Sequence, residues 1–322
     1  MLGAAVLAGC AAAPGAPKPE VLRAVAPVVP TVAQYSTAAV HAAPSSPAPT
    51  YLTAGVHEHQ VELDGQVRRW TTVVPPTAEG SRPSALVVVL HGVGGNGADM
   101  RSKGFDPLAA ERGVVMAYPD AFGGAWNDGR PGTDPVVPGV TVDDSRFLRL
   151  LIEETTSRTG ADIRHVAVVG LSNGAMMAAR VACDLADQVS AVALVVGSAG
   201  QGFEQTCRPV RPVAVMVVAG SDDATVPYGG GRVADWQGKR RGYVAGVDAF
   251  VDFWRAQNGC ASTQVVPGPP TVGVASAVGC RTGGAVLRYR VEGGGHDWYQ
   301  PPKFDTTAAI WDFTAQRFSV SA

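Results

Sequence analysis

The chain has 322 residues, 46% of them hydrophobic, and a formal net charge of -2 at pH 7. A chain of this length can bury a large core, and its near-neutral charge lacks the excess of basic side chains that binds phosphate backbones. The composition therefore indicates a globular protein and excludes nucleic acid as a partner.

Residues 1 to 10 form an apolar run that ends in the sequence LAGC, with the cysteine at Cys10. This ending resembles the lipobox of bacterial lipoproteins, in which the cysteine becomes the lipidated N-terminus. The resemblance implies that 1–10 is a signal remnant, that the protein is exported as an envelope lipoprotein or secreted, and that a lipid on Cys10 attaches it to a membrane. No Lys or Arg precedes the run, unlike an ordinary signal peptide, and a plain apolar N-terminus is the alternative.

Residues 11 to 50 are rich in proline and alanine and show no hydrophobic periodicity. Such a composition favours extended conformations and cannot build a core. We therefore expect a tether at 11–50 and one folded domain at 51–322.

The folded part opens with two alternating runs, 56–63 and 67–74, around an Asp-Gly turn, which predicts an antiparallel hairpin. After it, strand-length runs that are apolar on both faces alternate with helical stretches, as in parallel sheets covered by helices. The expected strands are 85–90, 113–118, 164–169, 189–196, 212–219 and 285–291. The expected helices are 143–158, 173–186, 243–257 and 305–317. The sequence predicts an α/β fold with a mostly parallel central sheet, helices on both faces and an N-terminal antiparallel hairpin.

A candidate nucleophile, Ser172, lies in the sequence GLSNG, between a valine-rich strand and a helix-forming run. The pattern G-x-S-x-G is weak by itself, and a serine in an ordinary tight turn is the alternative. The strand, turn and helix around it are the setting of a nucleophile elbow, which exposes the serine hydroxyl.

The candidate base is His296, because it is the one histidine among six that follows residue 172, and the base follows the serine in this kind of site. It lies in the sequence GGGHDW, just after the strand 285–291. Loops at the carboxyl ends of strands carry the chemistry of an α/β sheet.

An acid is needed to orient the histidine, and the strand 212–219 leads into the pair Asp222 and Asp223. Spacing does not choose between the two aspartates. The backbone N–H groups of Val93, in the glycine-rich loop HGVGGN, and of Asn173 are the expected oxyanion donors, and His91 is expected to be structural. A phosphate-binding role for this loop lacks the G-K-[ST] that it would need.

Seven motifs occur together between about 84 and 315: LHGxGGN, WNDGR, VDD, GLSNGAMM, GSDDxxVPY, NGC and GGGHxW. In this combination the chain resembles the secreted polyhydroxybutyrate depolymerase and feruloyl esterase-like family of α/β hydrolases, including its actinobacterial lipoproteins. The resemblance implies the α/β-hydrolase fold for the catalytic domain 51–322 and places the acid on Asp223.

The motifs and the candidate residues predict a serine esterase that cleaves small-molecule or polymeric carboxylic esters through an acyl-enzyme, with catalytic Ser172, His296 and Asp223. Short hydroxyacyl or polyester oligomers and feruloyl or acetyl esters are the expected substrates. No metal or organic cofactor is required. An envelope acyltransferase and a non-catalytic, tethered carbohydrate- or polymer-binding protein are the alternatives.

Two tryptophans, Trp126 and Trp298, flank the predicted site and are expected either to wall the substrate pocket or to lie in the core. The loops 119–140 and 221–241 are long enough to form other walls. Asp143 and Asp144 suit the start of a helix better than catalysis.

Four cysteines of the folded part are an even number, as expected of two disulfides in an exported protein. Three pairings are open, and proximity in sequence favours neighbours along the chain. The cysteines concerned are Cys183, Cys207, Cys260 and Cys280. Their spacing suggests no metal site.

Overall fold

The computed structural model describes residues 51–77, 81–135 and 137–318. These residues belong to one compact unit. The expected signal remnant at 1–10, the tether at 11–50 and the lipid on Cys10 lie outside the described residues.

A ten-stranded sheet forms the centre of the fold. Its strands, with a separate two-stranded ribbon of β8 and β9, are β1 (Gly55–Leu63), β2 (Gln66–Val74), β3 (Ala85–Leu90), β4 (Val114–Pro119), β5 (Val166–Leu171), β6 (Ala191–Val195), β7 (Ala214–Gly220), β8 (Gly231–Arg232), β9 (Tyr243–Val244), β10 (Ser262–Val266), β11 (Val272–Val278) and β12 (Ala285–Val291). The helices are α1 (Gly97–Arg101), α2 (Phe105–Arg112), α3 (Asp144–Thr159), α4 (Asn173–Asp184), α5 (Val247–Gln257) and α6 (Thr306–Phe318), with short 3₁₀ turns at Phe122–Gly124 and Phe203–Gln205.

The strand order is β1-β2-β4-β3-β5-β6-β7-β12-β11-β10. Along this spatial order, the six neighbouring strands β4, β3, β5, β6, β7 and β12 pair in parallel. Antiparallel strands extend the sheet at both edges. The prediction of a mostly parallel sheet that follows an antiparallel hairpin is confirmed. The antiparallel pair β10 and β11 at the far edge is an addition to that prediction.

Side chains from both faces of the central strands are buried, which explains their continuous apolar runs. In β3, Leu86 and Leu90 join the core on one face while Val87 joins the core on the other. Helices α3, α4 and α5 cover the first face, for instance through the buried Phe147 of α3. Helices α1, α2 and α6 cover the second face, where Phe105 of α2 is buried. Because helices cover both faces of the sheet, each central strand buries side chains on both of its faces.

Two disulfides join neighbours along the chain, as proximity favours. Cys183, near the end of α4, is bonded to Cys207, and Cys260, just after α5, is bonded to Cys280. They close loops of 24 and 20 residues around the ends of two helices that cover the same face of the sheet.

Among the helices of the described ranges, none is long and apolar enough to cross a membrane.

Candidate active site

The turn between β5 and α4 holds Ser172 in an unusual backbone conformation. Its φ of 55° and ψ of -115° lie outside the ordinary regions for a residue with a side chain. The backbone N–H of Ser172 donates to the carbonyl oxygen of Val195 at 2.8 Å, which ties the turn to the neighbouring strand β6. The hydroxyl makes no capping hydrogen bond to α4, so it is available to other partners.

Glycines on either side of the turn are required by close backbone contacts. A Cβ on Gly170 would lie 2.1 Å from the carbonyl oxygen of Gly174, and a Cβ on Gly174 would lie 2.4 Å from that of Leu90. Both distances are far shorter than a carbon can approach an oxygen. The two glycines thus let α4 start directly against β5 and β3, as the nucleophile-elbow interpretation requires.

Ser172, His296 and Asp223 form a continuous chain of hydrogen bonds. The Ser172 Oγ lies 2.9 Å from Nε2 of His296, and Nδ1 of His296 lies 2.8 Å from Oδ2 of Asp223. The three residues follow the carboxyl ends of β5, β12 and β7. Because these strands are parallel, their ends meet at one edge of the sheet.

The acid is held by backbone donors as well as by the histidine. Oδ1 of Asp223 accepts from the N–H groups of Thr225 and Val226, each at 2.8 Å, and Asp223 is buried. These donors fix the position of the carboxylate. The competing Asp222 is exposed and accepts from Ser221 Oγ at 2.8 Å, away from His296.

The loop that carries the histidine is fastened to the turn after β7. Ser221 Oγ accepts from the N–H of Gly293 at 2.8 Å, and the N–H of Asp222 donates to the carbonyl oxygen of Gly294 at 3.0 Å. The hydroxyl of Tyr299 donates to the carbonyl oxygen of Gly295 at 2.6 Å. No sequence pattern indicates these contacts, which hold the loops of Asp223 and His296 in a fixed relative position.

The expected oxyanion donors lie beside Ser172. Val93 and Asn173 line the same cavity as the serine. Across the part of the chain that the structure describes, no hydrogen bond uses the backbone N–H of either residue, whereas the next N–H in the loop, of Gly94, donates to Gly124 at 2.7 Å. Two unused donors next to a serine, one at a helix N-terminus, can hold a developing oxyanion.

The imidazole of His91 holds the glycine-rich loop in place through two hydrogen bonds. Its Nδ1–H donates to the carbonyl oxygen of Gly92 at 2.6 Å, and its Nε2 accepts from the N–H of Ala121 at 3.0 Å. Burial lowers the pKa of His91 below its ordinary value of 6.5. Both ring nitrogens of the neutral imidazole are engaged in hydrogen bonds to the backbone, so His91 has the structural role expected of it.

The side chain of Asn173 has a role that the sequence did not reveal. It is buried, and its amide exchanges hydrogen bonds with the backbone N–H and carbonyl oxygen of Trp126, at 2.7 and 3.0 Å. Its Nδ2 also donates to Oδ2 of Asp128 at 2.6 Å. Asn173 therefore joins the first turn of α4 to the long loop that begins after β4.

Trp126 and Trp298, each expected either to wall the pocket or to lie in the core, take different places. Trp126 is 2% exposed, donates its indole N–H to the carbonyl oxygen of His91 at 2.9 Å and does not line the cavity of Ser172, so it is a core residue and not a wall. Trp298 does line that cavity, with its own indole N–H donating to Thr307 at 3.1 Å. The second aromatic wall is Trp236, from the 221–241 loop.

The cavity beside the serine has a volume of about 440 Å³, which is in the range of small-molecule sites. Its lining combines apolar side chains, such as Leu171 and Met176, with the positive side chains of Lys103 and two arginines and the carboxylate of Asp297. Within the described residues, no group of three His, Cys, Asp or Glu side chains could hold a metal ion. Asp143 caps α3 by accepting from the N–H of Arg146 at 3.0 Å, and Asp144 is buried in an ion pair with Arg68, so both serve the helix start.

The curated proteins to which the chain is similar are esterases. No family model matches the chain. It is 30% identical over 256 residues to "Putative esterase NocK" from Nocardia uniformis subsp. tsuyamanensis, covering 74% of this chain and 73% of that protein. It is 28% identical over 229 residues to feruloyl esterase B from Piromyces equi, covering 69% of this chain. The match spans 41% of the length of that feruloyl esterase.

Solved structures show the same fold at low identity. An acetyl xylan esterase from Aspergillus awamori matches with a TM-score of 0.52 and 16% identity, covering 80% of this chain and 99% of its own. An S-formylglutathione hydrolase from Agrobacterium tumefaciens matches with a TM-score of 0.50 and 14% identity, covering 82% and 94%. The predicted α/β-hydrolase fold is confirmed. The chain belongs to the esterase family that includes NocK, and it is a serine carboxylic ester hydrolase.

Proposed function

We propose that Ser172, His296 and Asp223 are the catalytic triad of this esterase. The observation that carries the proposal is the unbroken hydrogen-bond chain from the serine hydroxyl to the buried carboxylate, with distances of 2.9 and 2.8 Å. The geometry matches the requirement that a base reach the nucleophile and an acid orient the base.

In the first half of the reaction, Ser172 Oγ attacks the ester carbonyl carbon while its proton passes to Nε2 of His296. The carbonyl oxygen becomes an oxyanion that accepts hydrogen bonds from the N–H groups of Val93 and Asn173. The carbon–oxygen bond to the alcohol then breaks, and His296 returns the proton to the leaving alcohol. The serine is left as an acyl ester.

In the second half, water attacks the acyl carbon and gives its proton to His296, and the carboxylic acid leaves as Ser172 regains its hydrogen. Asp223 keeps the proton of the neutral imidazole on Nδ1 and stabilises the imidazolium in both halves. No metal or organic cofactor takes part in these steps.

The substrates proposed are carboxylic esters with a short acyl or aryl group: hydroxyacyl oligomers of polyesters, or feruloyl or acetyl esters. A cavity of about 440 Å³ with the aromatic side chains of Trp236 and Trp298 supports groups of this size. The similarity to a feruloyl esterase supports the aryl alternative.

Replacement of the nucleophile tests the triad. Ser172→Ala should lower kcat for p-nitrophenyl acetate by about 10⁶, because an alanine offers no atom for acylation. A fluorophosphonate probe should label the wild-type protein at Ser172 and leave the variant unlabelled. Equal circular dichroism spectra of the two proteins control for folding, and a variant that hydrolyses the ester at the wild-type rate would overturn the assignment.

We also propose that the protein acts after export, tied to a membrane by a lipid on Cys10. The disulfides of Cys183 and Cys260 support export, since such bonds persist in oxidising compartments. Protein isolated from the producing cells should carry a diacylglyceryl group on its Cys10 peptide by mass spectrometry. It should show no titratable thiol among the other four cysteines after denaturation. Four free thiols and an unmodified Cys10 would contradict the proposal.

A further inference from the structure

A buried arginine shares the cavity with the proposed triad. Arg241, in the segment between β8 and β9, is 4% exposed, and its side chain lines the same cavity as Ser172 and His296. Neither step of the proposed ester hydrolysis uses this side chain. A positive charge so far removed from water needs a reason.

Other buried arginines of the described residues have carboxylate partners. Arg68 forms an ion pair with Asp144 at 2.5 Å, and Arg130 forms one with Asp128 at 2.8 Å. Arg241, which is buried to a similar degree, has no carboxylate within ion-pair distance anywhere in the described chain. Arg241 is thus the one buried arginine of the described residues that lacks a carboxylate partner.

The hydrogen-bonding capacity of Arg241 is largely unused. Its Nε is buried without a hydrogen-bond partner among the described residues. One terminal nitrogen donates to the carbonyl oxygen of Trp236 at a long 3.5 Å, and the guanidinium lies over the indole of the same residue, 5.3 Å from its centroid. Trp236 thus orients the guanidinium, but supplies no negative charge.

Acids near Arg241 are occupied by other arginines. Asp134 and Asp235 are the two acids whose charges act on it, and they pair with Arg240 at 2.8 Å and Arg232 at 2.6 Å. Burial and the neighbouring charge of Arg130 lower the pKa of Arg241, although a guanidinium keeps its proton at neutral pH. An anionic group entering the cavity would therefore gain a partner that the protein itself does not provide.

The segment that carries Arg241 also touches the oxyanion loop. A Cβ on Gly94 would lie 2.8 Å from the indole of Trp236, so the indole packs directly on the loop that holds Val93. The guanidinium and the proposed oxyanion donors are in this way parts of one enclosure. A substrate group on Arg241 and an ester carbonyl at Ser172 would lie in the same cavity.

We propose that Arg241 binds a carboxylate of the substrate, so that the enzyme prefers esters with a free carboxylate a few bonds from the scissile carbonyl. This inference rests on the proposed esterase function of the same cavity. A guanidinium binds a carboxylate through two parallel hydrogen bonds, which gives both affinity and orientation. In an oligoester only the terminal unit has a free carboxylate, so the enzyme would act at that end of the chain.

Matched pairs of esters test the inference. One pair has the charge on the acyl side: the mono-p-nitrophenyl ester of adipic acid and the corresponding adipamide ester. The other has it on the alcohol side: 4-acetoxybenzoate and 4-acetoxybenzamide. For each pair the ratio of kcat/KM, carboxylate over amide, is corrected by the ratio of the rates with hydroxide alone. In at least one pair the wild-type ratio should exceed about 10, as expected of a charge-assisted contact.

Variants assign the preference to this side chain. Arg241→Met should lower the ratio about 10- to 100-fold, and Arg241→Lys should restore part of it, because a charge alone replaces part of a bidentate contact. Lys239→Gln is the matched control. The substitution removes one positive charge from the same segment, and Lys239 does not line the cavity. Its ratio should equal that of the wild type.

The outcomes separate this inference from the esterase function. If the wild type hydrolyses the amides and the carboxylates equally well, the esterase function stands and the carboxylate site is wrong. If Arg241→Met lowers both rates together and leaves the ratio unchanged, Arg241 only supports the loop, and the inference is again wrong. If the wild type hydrolyses no ester of either pair, both proposals fail.

Discussion

At the scale of single residues, the proposed triad follows from elimination and from the family motif together. His296 was the one histidine after Ser172, but spacing left Asp222 and Asp223 open until the motif separated them. The geometry distinguishes the two in a different way, by burial: Asp223 is enclosed with two backbone donors, whereas Asp222 is exposed.

Replacing each aspartate in turn by asparagine compares the two candidate acids directly. Asp223→Asn should lower kcat by about 10⁴, because the amide cannot hold the imidazole in its productive tautomer. Asp222→Asn is the matched control and should retain nearly full activity, since its carboxylate contacts Ser221 and not the histidine. Steady-state kinetics on one p-nitrophenyl ester measures both. A crippled Asp222→Asn with an active Asp223→Asn would reverse the assignment of the acid.

Residues that the sequence did not reveal have a common character. Arg241 and Trp236 come from the 221–241 loop, which has no periodicity from which a buried side chain could be predicted. The place of Trp126 stayed open between wall and core, because a tryptophan beside a site has the same sequence signal whether it faces the substrate or the core. Whether the ring lines the cavity of Ser172 decides between these cases, and that placement needs a structure.

At the scale of elements, prediction succeeded where burial imposes a pattern. The six parallel strands and the helices α3 to α6 lie within a few residues of their predicted bounds, because each must be apolar on both faces or on one stripe. The edge strand β10 was missed, since four of its five residues are exposed and it has no apolar run. Helix α2 was missed as well, with Pro107 in its first turn, where proline is tolerated but is easily taken for a break.

The loop after β3 depends on a neutral histidine, which predicts a pH dependence. The folded state lowers the pKa of His91, so the unfolded chain binds a proton more readily. The stability due to His91 is therefore complete above its ordinary pKa of 6.5 and is lost as the pH falls below that value towards the pKa of the folded state.

Thermal unfolding between pH 7 and pH 5 measures this effect. The Tm of the wild type should fall more steeply than that of His91→Gln, in which an uncharged amide can accept from Ala121 at every pH. Because the variant keeps all other titrating groups, including His59 with its lowered pKa, the difference between the two curves reports on His91. Parallel curves would contradict the assigned role.

At the scale of the whole molecule, the parallel strands gather distant parts of the chain at one edge. Ser172 and His296 are 124 residues apart in sequence, and Asp223 and His296 are 73 apart. The sequence predicts these residues at the same edge, because parallel strands share a direction. It could not give the order of the strands across the sheet, in which β6 lies between the strands of the serine and the acid.

The position of β12 in the chain has a consequence for when the protein becomes an enzyme. A ribosome makes the serine first and the histidine 124 residues later, which at roughly 5–20 residues per second is a delay of about 6 to 25 seconds. During that interval the proposed nucleophile exists without its proposed base. If the proposed triad is the catalytic one, esterase activity begins only when the last parallel strand pairs with β7, and the serine stays unactivated during synthesis.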